Sequence, residues 1–373
     1  MQIADFELER FFARYEFAVR HLLCASDVEG WSMAELLALA DDETRRLWDG
    51  LTLGYTEAPG HPLLRAEIAS LYDTLAPDDV LTFSGAEEAI FTAANVLLGP
   101  GDHAIVTWPA YQSLHEVARA AGADVTLHEL RASDGWAIDV DRLRASVTPR
   151  TKLIVVNAPH NPTGMLPDAA TWAAVSAIAA EAEAVLFSDE VYRFLERDPA
   201  ARLTAGADLG RHGVSLGVMS KSFSMAGLRI GWLASRDRAF LDACGRFKDY
   251  LTICSSAPSE ILALIALRAR DTVLGRSRAI VDGNLALVDG LFERQAAHLR
   301  WVRPAGGPIG FPELTTDVPI ETFAQNLVEA EGVLLAPGPL FGHPGNHFRL
   351  GLGRNGMAAG LDRLEAYVER TLH

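Results

Sequence analysis

Cysteine is scarce in this chain. Cys24, Cys244 and Cys254 are widely spaced, with no CxxC pair and no His/Cys cluster. That excludes a disulfide framework and gives no reason to expect a metal. An odd cysteine count with no leader points to a reducing compartment. The first residues, MQIADFELERFFARYEF, carry charges throughout and lack the apolar stretch of a signal peptide. Apolar runs long enough to span a bilayer are missing as well. Basic residues are in deficit, 33 against 49 acidic ones, for a formal charge of −16. Such a surface repels nucleic acid and anionic membranes, so neither is an expected partner. Internal repeats and low-complexity segments are absent. The expectation is a cytoplasmic protein.

Apolar residues are abundant, 49% of 373 positions, enough for two domains with sizeable cores. Apolar spacing predicts an amphipathic helix over residues 5–23, carried by Phe6, Phe11, Phe12, Tyr15, Phe17 and Leu22. Ser32 with Glu35 reads as a capping box opening a helix through MAELLALAD, and another helix starts at Pro62. From DDVLTFSG to GVSLGVMS, short apolar strands alternate with helices. This implies an α/β fold with a mostly parallel sheet covered on both faces. Beyond Trp232 the pattern turns helical, with helices over about 237–252, 259–269 and 274–298. The tail reads as a smaller α+β unit. Its strands are LRWVRP, VLLAPG and HFRLGLG, and its helices are IETFAQNLVEAEG and a last one ending at Thr371. The expected division is 1–45 joining the small domain, 46–275 as the large domain and 276–373 as the small C-terminal domain.

Ligands in open parallel sheets collect at the carboxyl ends of the strands. Ser84-Gly85-Ala86-Glu87 falls where a strand turns into a helix and could offer backbone N–H groups to a phosphate; alone it is an ordinary turn. Tyr111 follows the next strand and could stack on a flat ring or simply pack. Asn161 stands in NAPHNPTG, whose Pro162 and Gly164 shape a turn. Asp189 and Tyr192 stand in SDEVY, and a buried Asp189 would need a cationic partner. Lys221 and Arg229 lie in VMSKSFSMAGLRIGW, where a surface loop is the competing reading. Together these residues form the set that pyridoxal 5′-phosphate requires. A lysine makes the covalent link, a carboxylate keeps the ring nitrogen charged, and an arginine pairs with the phosphate.

HNPTG, SDEVY and SKSFSMAGLRIGW, in this order and spacing, resemble the fold-type-I pyridoxal-phosphate enzymes of the class I/II aminotransferase branch, along almost the whole chain. The resemblance implies the pyridoxal-phosphate transferase fold, with a mostly parallel seven-stranded sheet between helices. It also implies residue roles. Lys221 is the Schiff-base lysine and proton carrier, Asp189 pairs with the ring nitrogen, Asn161 and Tyr192 touch the ring hydroxyl, and Tyr111 stacks on the ring. Ala86 and Glu87 give amides to the phosphate, with Ser220 and Arg229 beside it. Tyr55 reaches the phosphate of a neighbouring subunit, so a homodimer is implied. Arg349 binds the substrate α-carboxylate, with Asn161 alongside. One departure is Val218, where many relatives carry a serine that contacts the phosphate.

The implied activity is transamination of an L-amino acid, with a 2-oxo acid as acceptor. The alternative is elimination, replacement or cyclisation at the same cofactor. RYEF, PAYQSL, NAPHNPTG and KDYLT are similar to capreomycidine synthase-like members, which cyclise an arginine-like amino acid. The acidic stretch Ser26-Asp27-Val28-Glu29-Gly30-Trp31 could serve that substrate. Asp27 or Glu29 would pair with a guanidinium and Trp31 would stack on it. The competing reading is a solvated loop whose acids cap the following helix.

Overall fold

The computed structural model describes residues 2–372. Its centre is a seven-stranded sheet. The strands are β1 Val80–Phe83, β2 His103–Trp108, β3 Asp124–Glu129, β4 Thr151–Asn157, β5 Val185–Asp189, β6 Gly213–Val218 and β7 Gly231–Ser235. Their spatial order is β1-β7-β6-β5-β4-β2-β3, and only β7 runs against its neighbours. The inner strands are almost wholly buried because helices cover both faces. One face packs on Ile90, Ala93, Leu114, Val117 and Leu241; the other packs on Leu143, Trp172, Val175 and Ile178.

The alternation read from the sequence is present, and β7 is the strand it omitted. Gly-Trp-Leu-Ala-Ser sits directly behind a glycine-rich turn, so no apolar run of its own marks it. Four further expectations are corrected. The first helix covers Glu7–Tyr15 only, because His21–Leu22 pairs as a strand with Val333–Leu334 and the chain to Ala25 is extended and buried. The capping box at Ser32 and Glu35 forms, but its helix ends at Leu37, and Asp41 caps a separate one, Asp42–Asp49. VLLAPG makes two strands, since Val333–Leu334 and Ala336–Pro337 pair with different partners. The long helix occupies Arg270–Arg294, about one turn earlier than expected.

The C-terminal region gathers a core of its own. Val281, Leu291, Phe348 and Leu364 pack there together with Leu23 and Val28 from the N-terminal segment. Arg349 sits on Phe348–Gly351, the middle strand of a three-stranded sheet flanked by Ile309–Gly310 and Ala336–Pro337.

Candidate active site

A cavity of about 520 Å³ opens at the carboxyl ends of β4, β5 and β6. Its floor is set by strand register. Asn157, the last residue of β4, lies directly beside Asp189, the last residue of β5. Asn157 Nδ2 donates to the Asp189 carbonyl at 3.0 Å, and Asn157 Oδ1 accepts the Asn161 N–H at 2.6 Å. Asn161 Oδ1 in turn accepts from Arg349 Nη1 at 3.2 Å. A single hydrogen-bonded row therefore runs from Arg349 through both asparagines to Asp189.

Asp189 is 4% exposed, and its Oδ1 accepts the Val191 N–H at 3.3 Å. Burial raises its carboxyl pKa to about 7, against the opposing pull of that N–H and of Lys221. Lys221 stands in the turn after β6, which Ser224 N–H→Lys221 O and Met225 N–H→Met219 O hold closed. Its Nζ donates to Ser26 Oγ at 2.8 Å. Burial lowers its pKa, and Arg349 pushes the same way while Asp27 opposes. A buried amine with a lowered pKa is suited to nucleophilic and base chemistry.

Arg349 is 1% exposed. Its Nε donates to the Cys24 carbonyl at 2.9 Å, and its guanidinium lies 4.9 Å from the Phe341 ring centre and 5.7 Å from that of Phe12. Its Nη2 is buried with no partner. A buried guanidinium with an unused N–H face calls for an anion. A second anion site lies across the cavity. Gly85, with φ +92°, precedes the helix Ala86–Leu97 and leaves the first-turn N–H groups without intrahelical acceptors. A Cβ at Gly85 would come within 2.5 Å of Arg229 Nη2, so the guanidinium lies against this turn. Ser220 Oγ, buried and without partner, faces the same cavity.

The class I and II aminotransferase family matches residues 23–364. This chain belongs to that family. It is 32% identical to capreomycidine synthase of Streptomyces vinaceus, over 90% of this chain and 86% of that one. It is 29% identical to the arginine–pyruvate transaminase AruH of Pseudomonas aeruginosa, over 80% and 77%. Among solved structures, it resembles a PLP-dependent aminotransferase from Streptococcus suis with a TM-score of 0.94 and 29% identity over 99% of each chain. It resembles the PLP-dependent cyclase OrfR with a TM-score of 0.91 and 31% identity over 99% and 98%.

This aminotransferase-family chain is therefore an enzyme whose cofactor is pyridoxal 5′-phosphate. The cavity fits that cofactor on its own chemistry. The helix start, Ser220 and Arg229 suit a phosphate, while the buried carboxyl of Asp189 suits a protonated ring nitrogen.

Of the residues singled out in the sequence, Ala86, Glu87 and Tyr111 line the cavity on one side. Asn161, Asp189 and Tyr192 line its floor, and Ser220, Lys221 and Arg229 close the other side. Val218 lies among them. Tyr111 packs on Phe6 with ring centres 5.0 Å apart. Burial pushes the Tyr192 phenol well above its usual pKa. Asp27 lines the cavity, but Arg354 Nη2 already donates to it at 2.9 Å. Glu29 is a correction. It lies away from the cavity, and its Oε2 accepts the Asn355 N–H at 2.7 Å. Trp31 is corrected with it, since its ring lies under the Arg276 guanidinium at 4.9 Å. Tyr55 is 90% exposed within the protomer and does not line the cavity.

Sequence reasoning passes over Asn157, Glu9 and Glu16 and names Ser26 only as the start of the acidic stretch; all four line the cavity. Asn157 could have been found, since it ends a strand in the same NAPHNPTG segment as Asn161. Glu9, Phe12 and Glu16 share one helical face by their spacing, but no local pattern announces what that face covers.

Proposed function

We propose that the enzyme transfers the amino group of an L-amino acid to a 2-oxo acid. The observation that carries this reading is the spacing of unsatisfied groups around one cavity. Arg349, hydrogen-bonded to the cavity-lining Asn161, keeps Nη2 free for a carboxylate, while the phosphate-suited turn and the Lys221 amine line the cavity itself.

Lys221 is the proposed site of the covalent cofactor link. Asp189 holds the ring nitrogen, Asn161 and Tyr192 face the ring hydroxyl, and Tyr111 covers the ring. Ala86, Glu87, Ser220 and Arg229 hold the phosphate. When bound, the cofactor would supply an electron sink for the pair left at the substrate Cα as its proton is removed. Arg349 grips the α-carboxylate bidentately and so orients the Cα–H bond. Lys221 Nζ, with its lowered pKa, takes the Cα proton as general base and returns a proton as acid. Asn161 and Asn157 keep Arg349 and Asp189 in a fixed relation while the proton moves.

A second reading is cyclisation of an arginine-like amino acid on the same machinery. The likeness to capreomycidine synthase and to the cyclase OrfR favours it. The holoenzyme, given a panel of amino acids with 2-oxoglutarate or pyruvate, separates the two. Stoichiometric consumption of the 2-oxo acid supports transamination. A cyclic product with the 2-oxo acid untouched supports cyclisation instead.

A homodimer is part of this proposal. Leu53, Tyr55, Tyr250 and Ile253 are exposed by 48% or more, and Thr56 Oγ1 donates to the Ser255 carbonyl at 3.2 Å, which draws the two segments into one apolar patch. A second copy covering that patch would bring Tyr55 to its partner's phosphate site. Residues 46–275 form the proposed large cofactor domain, and residues 1–45 join 276–373 in the small one. Leu23 and Val28 in the C-terminal core support that grouping. A cytoplasmic location suits the cysteine content. No helix among the described residues is long and apolar enough to cross a membrane.

A further inference from the structure

We infer that Glu9 and Glu16, on the helix that roofs the cavity, select a substrate with a cationic side chain. This rests on the proposal that the cavity binds an amino acid through Arg349.

The argument is a balance of charges around one cavity. The cofactor phosphate offsets Arg229, and its ring nitrogen offsets Asp189. A substrate α-carboxylate offsets Arg349. Asp27 is already paired with Arg354 at 2.9 Å. Glu87 also lines the cavity, at the phosphate end in the first turn of the helix Ala86–Leu97, where burial raises its carboxyl pKa and favours the neutral form. That leaves Glu9 and Glu16, which line the cavity without forming an ion pair among the described residues. They lie two helical turns apart, with Phe12 between them on the same face and also lining the cavity. A wall of aromatic ring between two carboxylates suits a long methylene stem ending in a guanidinium or ammonium. Burial raises the Glu16 carboxyl pKa, with Asp27 and Glu9 adding to the rise and Arg354 and Lys221 opposing it. A bound cation would relieve that repulsion. An acidic side chain would add to it, and a neutral one would leave it unchanged.

A buried, unpartnered polar group beside the cavity, Arg349 Nη2, marks the place of the substrate carboxylate. Arg349 is anchored to the N-terminal segment through Cys24 and contacts Phe12 with its guanidinium, so the carboxylate site and the acidic helix are neighbours. A substrate held at Arg349 by its carboxylate has this helix within reach of its side chain.

The test titrates the holoenzyme with L-arginine, L-citrulline and L-leucine, reading the cofactor absorbance and the heat of binding. Citrulline matches arginine in shape and lacks its charge. Arginine is expected to half-saturate at a concentration roughly tenfold or more below citrulline, as a charge-assisted hydrogen bond warrants. Glu16→Gln should narrow that gap severalfold. The double variant Glu9→Gln/Glu16→Gln should bring the two within about twofold, while leucine stays where it was. Equal titration by arginine and citrulline in the native enzyme overturns the inference, as does an unchanged gap in the double variant. If no amino acid perturbs the absorbance of a cofactor-loaded enzyme, the amino-acid reading itself falls, and this inference with it.

Discussion

The floor and the roof of the cavity are built differently. The floor is the ends of β4, β5 and β6, where sheet register places Asn157 beside Asp189 and the closed turn after β6 places Lys221. Its key side chains are nearly all buried and linked by hydrogen bonds. The roof is the short helix Glu7–Tyr15 and the extended stretch to Asp27. There the acids are partly or fully exposed, and Glu9 meets Tyr111 only at 3.5 Å. The sheet ends thus hold the groups proposed to do chemistry, and a thin cover holds the groups proposed to choose the substrate. Floor substitutions should therefore change turnover or cofactor retention, and roof substitutions should change substrate ranking.

The largest effect is expected at Lys221. Lys221→Ala should lose turnover by on the order of 10³-fold or more and lose the absorbance of covalently held cofactor. Borohydride trapping followed by mass spectrometry checks this; an adduct as abundant as in the native enzyme would remove Lys221 from its role. Next comes Arg349, which belongs to both regions. Arg349→Lys keeps the charge and loses the fork, so kcat/KM should fall on the order of 10²-fold with cofactor absorbance intact. A fall of the same size for every amino acid places it with the floor. A fall that differs between arginine and leucine would blur the division.

A smaller effect concerns pH. In the cofactor-free protein the Asp189 carboxyl pKa is about 7, above the unfolded value of about 3.9. The native state then binds more protons than the unfolded state between those values, so this contribution to stability is lost as pH rises from about 4 through 7. A bound cation at the ring nitrogen removes the penalty. The melting-temperature gain on adding cofactor should be larger at pH 8 than at pH 5, and Asp189→Asn should flatten that difference. The smallest effect is expected at Tyr55. Tyr55→Phe should weaken cofactor affinity by about 1 kcal/mol, the net worth of one hydrogen bond. Sedimentation of the native enzyme as a fully active monomer would contradict the shared site.

Most of the floor was legible in the sequence because its residues follow apolar strands in recognisable short segments. Asp189, Asn161 and Lys221 each end a strand or stand in the turn after it, so the strand pattern carries them to one edge of the sheet. β7 escaped notice because it follows directly on a glycine-rich turn. The roof was poorly legible for a different reason. Residues 16–23 read as the continuation of a helix, yet His21–Leu22 pairs with Val333–Leu334, a partner far along the chain that no local period reveals. Glu29 looked equivalent to Asp27 in an acidic loop. The backbone of Asn355 and the side chain of Arg354 decide their different fates, and both lie on the far side of the sequence.

The Cys24 carbonyl that receives Arg349 Nε belongs to the segment that also threads over Gly351 and Gly353. A Cβ at either glycine would collide with the carbonyl of Ala25 or of Asp27. Residues 24–27 and 349–353, far apart in the sequence, are thus laced together around Arg349, the proposed carboxylate site. Deleting or displacing residues 24–27 would loosen an arginine more than three hundred positions away. For anyone redesigning this enzyme, residues 24–27 have to be treated as one piece with the strand that carries Arg349.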